Sequence, residues 1–114
     1  MYTKAIGGSS GGNTTYGSLD TTGITQTNYT ISNASYTMNG GWLMINAIVT
    51  TNTTQSSYLP IANLPAGNWR NNVYAYFAEN GGNILEIGIE NNKLCARSGS
   101  AGKLARFEIM TAKV

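Results

Sequence analysis

The sequence contains no histidine, one cysteine and few charged residues, and each shortage excludes a class of chemistry. Without histidine, the chain lacks the commonest general base and the commonest zinc ligand in proteins. The single thiol of Cys95 cannot form an intramolecular disulfide, and the sequence supplies no histidine that would activate it as a nucleophile. We therefore expect no enzyme activity, no metal site and no cofactor.

Charged residues make up 11% of the chain, against about a quarter in typical soluble domains. The net charge is +2, and the lysine and arginine residues are scattered rather than grouped into a run that could follow phosphates. No apolar stretch approaches the roughly 20 residues that a membrane-spanning helix needs, and residues 1–8 lack the apolar core of a signal peptide. We therefore expect no nucleic-acid binding and no membrane insertion, and with a single cysteine the fold does not depend on oxidation.

The pattern that is present predicts strands, and no segment has helical periodicity. Asn39-Gly40 is a hairpin signal, since both central residues of a type I′ turn need positive φ. The strand that follows, residues 42–50, has apolar residues on both faces. We therefore expect it to be central and covered on both sides, by a second sheet or a partner subunit. Pro60 and Pro65 cannot donate to a ladder, so they predict an edge, a bulge or a crossing between sheets.

The best-specified element is a hairpin around Asn91-Asn92. If these two residues form the turn, both apolar pairs lie on one face of the hairpin and both opposite-charge pairs on the other. A shift of one residue destroys this match, so the pattern predicts a single register. The predicted cross-strand pairs are Glu90 with Lys93, Ile89 with Leu94, Gly88 with Cys95, Ile87 with Ala96, and Glu86 with Arg97.

Glu86 and Glu90 are the remaining candidates for catalysis by paired carboxylates, and their spacing argues against it. Residues four apart on one strand face lie about 13 Å apart at ~3.3 Å per residue, whereas glycosidase pairs need roughly 5–9.5 Å. Each also has a predicted cross-strand cation. We therefore interpret both as members of surface ion pairs.

Two more strands are predicted in the second half of the chain. Residues 73–77 alternate in polarity and lead to a further hairpin signal, Asn80-Gly81-Gly82. A final strand is expected over Leu104–Thr111, with Ala105, Phe107 and Ile109 facing inward. Together with the hairpin, these strands predict an all-β, antiparallel sandwich or barrel.

The chain divides into two parts by composition. Residues 1–33 are polar and rich in Gly, Ser and Thr, and they predict a linker with weak strands at Tyr16–Leu19 and Tyr29–Ile31. Residues 34–114 predict the all-β head domain.

The order of elements from residue 34 onward resembles the C-terminal head domains of phage tail-fibre and baseplate receptor-binding proteins. The elements are a strand at Tyr36, a glycine-marked turn, a long apolar strand, a polar gap and the segment LPIANLPAG. The best match is Leu64-Pro65-Ala66-Gly67, which that family commonly continues with an aromatic residue and Arg-Pro. Here Trp69 and Arg70 follow, and Asn71 stands where the proline is expected.

The resemblance implies a compact, jelly-roll-like sandwich or barrel that assembles as a homotrimer and binds a surface saccharide of a bacterial host. It also implies a virion protein of the tail tip or baseplate, assembled in the host cytoplasm. Residues 1–33 would then connect the head to other tail or baseplate proteins.

The candidate saccharide site is an aromatic and amide-rich segment just past the LPAG motif. Sugars present C–H faces that stack on Trp or Tyr, and hydroxyls that pair with Asn and Arg. The same rings also occur in cores and at subunit contacts, so structural roles stay open for each of them. The candidate ligand-binding residues are Trp69, Arg70, Asn71, Asn72, Tyr74, Tyr76 and Tyr58.

Two other functions agree with the sequence. A structural virion component, such as a fibre-tip cap or connector, shares the fold and the trimer but has no saccharide site. A monomeric carbohydrate-binding module of a larger secreted protein is the third hypothesis, with residues 7–13 as its linker. Burial of the aromatic rings favours a structural role, a groove rimmed by them favours binding, and the mass in solution separates monomer from trimer.

Overall fold

The computed structural model describes residues 14–77, 84–98 and 101–114, and these residues form strands and loops without a helix. Eight strands are present in them. Their bounds are β1 Thr14–Ser18, β2 Tyr29–Asn39, β3 Trp42–Thr51, β4 Gln55–Asn63, β5 Asn72–Phe77, β6 Ile84–Glu90, β7 Lys93–Ser98 and β8 Leu104–Ala112. Within these ranges no helix has the length and hydrophobicity to cross a membrane.

The described strands form two four-stranded antiparallel sheets. Sheet I has the order β1-β2-β3-β8, and sheet II has the order β4-β7-β6-β5. The chain crosses from sheet I to sheet II after β3 and returns after β7. The two sheets share one core, an arrangement consistent with a β-sandwich. The predicted antiparallel all-β fold is therefore confirmed, and β3 is central in its sheet as expected.

The core forms because alternating strands turn one apolar face inward. Leu43, Ile45 and Val49 of β3 have no exposed surface. The buried residues that β6, β7 and β8 add to the same core are Leu85, Ile87, Ile89, Leu94, Ala96, Ala105, Phe107 and Ile109. Burial of each large aliphatic side chain contributes about 1.5–3 kcal/mol relative to exposure. The inward set predicted for the last strand is therefore confirmed.

The hairpin between β6 and β7 has the predicted register. Asn91 and Asn92 have φ angles of 52° and 61°, the left-handed conformation that both central residues of a type I′ turn require. All five predicted cross-strand pairs, from Glu90–Lys93 to Glu86–Arg97, are present.

The first hairpin is offset by one residue from its prediction. Asn39 is the last residue of β2 and pairs with Trp42, so the turn consists of Gly40 and Gly41 rather than Asn39 and Gly40. Gly40 has a φ of 61°, as the first central residue of a type II′ turn requires. Glycine adopts that conformation without the steric penalty of a Cβ, which favours the Gly-Gly pair as the turn.

Both prolines lie where a missing N–H is tolerated. Pro60 is in β4, at the edge of sheet II as described, and the register with β7 shifts between Pro60 and Ala62. Pro65 follows the end of β4, in the loop that leads to Trp69. These positions agree with the predicted edge and bulge. The predicted crossing between sheets is not found there, because the loop after Pro65 joins β4 to β5, and both strands belong to sheet II.

The predicted division at residue 33 falls inside β2. Leu19 and Tyr29 are 8% and 2% exposed, so part of segment 1–33 belongs to the common core. The predicted weak strands correspond to β1 and to the start of β2. Residues 7–13 and the hairpin signal at 80–82 lie outside the described residues.

Within the described chain, β3 is covered on one face. Its other face carries Trp42 and Met44, next to Met110 of β8. Trp42 is 57% exposed and Met110 is 50% exposed. The second sheet therefore supplies one of the two expected covers.

Candidate functional site

A groove crosses the outer face of sheet II because two small residues lie opposite each other in its centre. Gly88 of β6 pairs with Cys95 of β7, and these two residues pair in turn with Val73 on β5 and Pro60 on β4. Gly88 has no side chain and Cys95 a short one, whereas larger side chains flank them. The space left, which we call the sheet II groove, encloses about 330 Å³. Its lining residues are Tyr58, Asn71, Asn72, Val73, Gly88, Ile89, Glu90 and Cys95.

One wall of the groove is the ring of Tyr58, which polar contacts hold in place. The Tyr58 hydroxyl donates to Oε1 of Glu86 at 2.9 Å, and Nε of Arg97 donates to the same oxygen at 2.7 Å. The Arg97 guanidinium also lies over the Tyr58 ring, 5.0 Å from its centroid. The three side chains therefore form a closed cluster beside the groove, in which the ring has little freedom to reorient.

Charges in this cluster follow from its geometry. The hydrogen bond from Arg97, followed by the one from Tyr58, lowers the pKa of Glu86. Burial, and then the bond to Glu86, raises the pKa of Tyr58 to about 12. The carboxylate is therefore ionised and the phenol protonated at neutral pH.

Gly88 permits this arrangement because its neighbours occupy the space that a side chain would take. A Cβ at position 88 would lie 3.2 Å from the carbonyl oxygen of Asn72 and 3.3 Å from Cε1 of Tyr58. Either the strand or the ring would have to move to accommodate it. Any larger residue at position 88 would also fill the floor of the groove.

Cys95 forms the other part of the floor, and the whole residue is 5% exposed. It lies between Lys93 and Arg97 on the outward side of β7, as the sequence predicts. Burial, and then the negative charge of Glu90, raises the pKa of the Cys95 thiol to about 11. The group is therefore a neutral thiol at physiological pH, and a neutral thiol is a poor nucleophile.

The opposite wall combines amides, an apolar side chain and a carboxylate. Asn71 and Asn72 are exposed, and Val73 is 59% exposed. The Asn72 amide donates to the hydroxyl of Tyr74 at 3.0 Å and accepts from the N–H of Val73 at 2.9 Å, so the side chain is held toward Tyr74 on the inner side of β5. Glu90 closes one end of the groove and is exposed.

Trp69, the leading candidate from the sequence, lies in the core rather than at the surface. Its side chain is 2% exposed, and its Nε1 donates to the carbonyl of Pro65 at 2.9 Å. Its backbone N–H donates to Oδ1 of Asn92 at 2.8 Å. A ring this deeply buried offers no face to a ligand, so Trp69 does not belong to the sheet II groove. It joins the LPAG loop to the β6–β7 turn.

The structure divides the other candidates. Tyr58, Asn71 and Asn72 line the groove together. Arg70 is exposed but away from the groove lining, and its backbone N–H donates to the carbonyl of Ala112 at 2.8 Å. Tyr74 packs against the core, and its hydroxyl donates to the carbonyl of Met110. The Tyr76 side chain lies outside the described residues.

The sequence interpretation missed five lining residues. They are Val73, Gly88, Ile89, Glu90 and Cys95. A signal for them was present in the hairpin register, because the pairing of Gly88 with Cys95 places two small residues between two rows of long charged side chains.

The outer face of sheet I differs from this groove in composition. Tyr16, Thr37, Met44 and Met110 lie in one row across its four strands, and Trp42 lies in the next row beside Asn39. Tyr16 is 74% exposed. Five of these residues surround a second hollow of about 450 Å³. We call the surface that they form the sheet I patch, and its residues are Thr37, Asn39, Trp42, Met44 and Met110. None of the five carries a charge.

No protein-family model matches the chain, and no curated protein or solved structure is significantly similar to it. The described residues contain no group of three or more histidine, cysteine or acidic side chains arranged to hold a metal ion.

Proposed function

We propose that this chain is a non-catalytic, saccharide-binding head, and that the sheet II groove is its binding site. The observation that carries the proposal is the groove itself, which the ring of Tyr58 lines together with Asn71 and Val73. Its volume of about 330 Å³ is at the low end of the roughly 300–1,000 Å³ of small-ligand pockets. An aromatic face suits the C–H side of a sugar, and amides suit its hydroxyls.

The fixed geometry of the groove supports this proposal. The ring of Tyr58 is held by its hydrogen bond to Glu86 and by the Arg97 guanidinium above it. Binding to side chains that are already ordered loses less conformational entropy than binding to mobile ones. The groove is therefore suited to weak but specific recognition of a neutral polar ligand.

We further propose that the chain acts as a homotrimer, with the sheet I patch at the contact between subunits. Exposed Trp42 and Met110, with half-buried Met44 between them, form an uncharged apolar surface, which is typical of the centre of a protein interface. Three copies of a weak site would bind a repetitive cell surface with an avidity far above that of one site.

The resemblance to phage receptor-binding heads indicates where the protein would act. In that setting the protein would lie at the tail tip or baseplate of a virion assembled in the host cytoplasm. Its N-terminal segment would contact other tail or baseplate proteins, and the groove would recognise a surface saccharide of a bacterial host.

A structural virion component is the second candidate, and the burial of Trp69 favours it. Trp69 and Tyr74 both serve the packing of the head rather than its surface. A cap or connector would use the same fold and trimer without a ligand. The third hypothesis, a monomeric carbohydrate-binding module, differs from both in mass, which sedimentation equilibrium measures directly.

Replacement of Tyr58 tests the binding proposal. On a glycan array, Tyr58→Ala should lower binding at least about tenfold, because it removes an aromatic contact at the centre of the site. Tyr16→Ala is the matched control, since it removes an exposed tyrosine on the outer face of sheet I. In a solution titration with a monovalent sugar, where avidity makes no contribution, it should bind like the wild type.

Two outcomes would contradict the proposal. Wild-type protein that binds no saccharide on the array would favour the structural candidate. Equal loss of binding in the two tyrosine variants would place the site elsewhere. Circular dichroism of each variant provides the check on folding.

A further inference from the structure

Only one of the described residues that line the sheet II groove is ionised at neutral pH. Tyr58 and Cys95 are weak acids that are neutral at this pH, and burial raises their pKa values further, to about 12 and about 11. The other lining residues apart from Glu90 are amides, apolar residues or glycine. Glu90 therefore gives the groove a single negative charge at one end.

Two cations beside the groove are turned toward other groups. Arg97 pairs with Glu86 and covers the ring of Tyr58. Nζ of Lys93 donates to Oδ1 of Asn63 at 2.8 Å, on the β4 side of the sheet. Neither residue lines the groove. Among the residues that line the groove, Glu90 thus supplies the charge that a bound ligand contacts.

This arrangement has a direct consequence for the ligand. An anionic group a few ångströms from Glu90 would be repelled, and the partly enclosed groove screens that repulsion less than bulk water does. A sugar hydroxyl, in contrast, can donate to the Glu90 carboxylate, and hydrogen bonds to an ionised acceptor are stronger than those between neutral groups.

We infer that the groove selects uncharged saccharides over anionic ones, and that Glu90 is the residue that determines this selectivity. The inference rests on the proposed saccharide function and adds the ligand class to it. Uronic acids and phosphate-bearing sugars bind more weakly, whereas neutral sugars place hydroxyls at Glu90, amide-bonded groups at Asn71 and C–H groups at Tyr58 and Val73.

Matched pairs of sugars test this selectivity. Glycosides of glucose, galactose and mannose are immobilised, each beside its 6-carboxylate counterpart, and probed with the full chain at about 0.01 M salt. Wild-type protein should bind the neutral member of a recognised pair at least about fivefold better than the uronate, as expected for like charges at close range. In Glu90→Gln this ratio should fall to within about twofold of unity.

Two controls separate a local effect from a general one. Glu108→Gln makes the same charge change at an exposed residue on β8, on sheet I, and should keep the wild-type ratio. For the wild type, raising the salt to about 1 M shortens the screening length from about 30 Å to about 3 Å and should also lower the ratio. The salt series needs no variant, so it tests the inference even where Glu90→Gln folds poorly.

The outcomes distinguish this inference from the proposed function. Binding without discrimination, a preference for uronates, or an unchanged ratio in Glu90→Gln would overturn the inference and leave saccharide binding intact. If the protein bound none of the six sugars and no saccharide on the wider array, both the inference and the proposed function would be overturned.

Discussion

The two outer faces of the sandwich are built on the same kind of sheet but have different surfaces. On sheet I, the row of Tyr16, Thr37, Met44 and Met110 is uncharged, and each position carries a side chain that projects outward. On sheet II, the central row contains Gly88, and charged pairs flank it. A row filled with apolar side chains favours contact with another protein, whereas a gap between charged rows favours a small ligand.

The position of each tryptophan follows the same division. Trp69 is 2% exposed and anchors a loop, while Trp42 is 57% exposed on the sheet I face. An aromatic residue identified from sequence can therefore serve packing or recognition, and the depth at which the fold places it decides which. The first two predictions below use this pair.

The largest expected effect is that of Trp69→Ala on stability. Loss of this buried ring should lower the free energy of unfolding by about 3–5 kcal/mol, a large part of the ~5–15 kcal/mol of a typical domain. Trp42→Ala, measured at concentrations where the chain is monomeric, should lower it by less than about 1 kcal/mol. Urea titration followed by circular dichroism measures both. Equal stability of the two variants would show that the rings do not differ in burial.

A smaller effect is expected for Trp42→Ala on association. If the sheet I patch forms the subunit contact, removing its largest side chain should weaken self-association by about 10- to 100-fold, since buried aromatic residues dominate interface energies. Sedimentation equilibrium over a range of concentrations measures this change. Tyr58→Ala is the control on the opposite face and should keep the wild-type mass. If the Tyr58→Ala variant dissociated while the Trp42→Ala variant stayed assembled, the contact between subunits would lie on sheet II instead.

The smallest effect is expected from pH, through the cluster beside the groove. The Arg97 hydrogen bond lowers the pKa of Glu86 below its ordinary value of 4.5. This contribution to stability is therefore fully present above that value, and it is lost as the pH falls through the folded-state pKa. The wild-type Tm should fall more between about pH 6 and about pH 3 than the Tm of Glu86→Gln, which cannot titrate there. Parallel Tm curves for the two proteins would contradict this account of the cluster.

The sequence predicted the β6–β7 hairpin correctly because two independent patterns agreed there. Apolar pairs and opposite-charge pairs both required one register, and the turn Asn91-Asn92 tolerates positive φ. The first hairpin was offset by one residue because Asn39-Gly40 and Gly40-Gly41 are both acceptable turns, and local chemistry alone separates them poorly.

The groove was only partly predictable. Tyr58, Asn71 and Asn72 were identified as candidates, but their meeting point depends on how β4 pairs with β7. That register shifts twice, between Gln55 and Leu59 and between Pro60 and Ala62. Bulges of this kind are not visible in an alternating pattern, so the sequence could not place the Tyr58 ring over Gly88. The burial of Trp69 could not be predicted either, because it depends on the conformation of the loop after Pro65.

The central claim is that ligand recognition lies on sheet II and not on the exposed aromatic face of sheet I. Backbone amide NMR of the isotopically labelled protein tests it most directly, by titration with the neutral glycoside that the array ranks highest. The account predicts saturable shift changes at Tyr58, Gly88 and Cys95, with Trp42 and Met44 unchanged. Shift changes at Trp42 and Met44 without changes at Gly88 would contradict it.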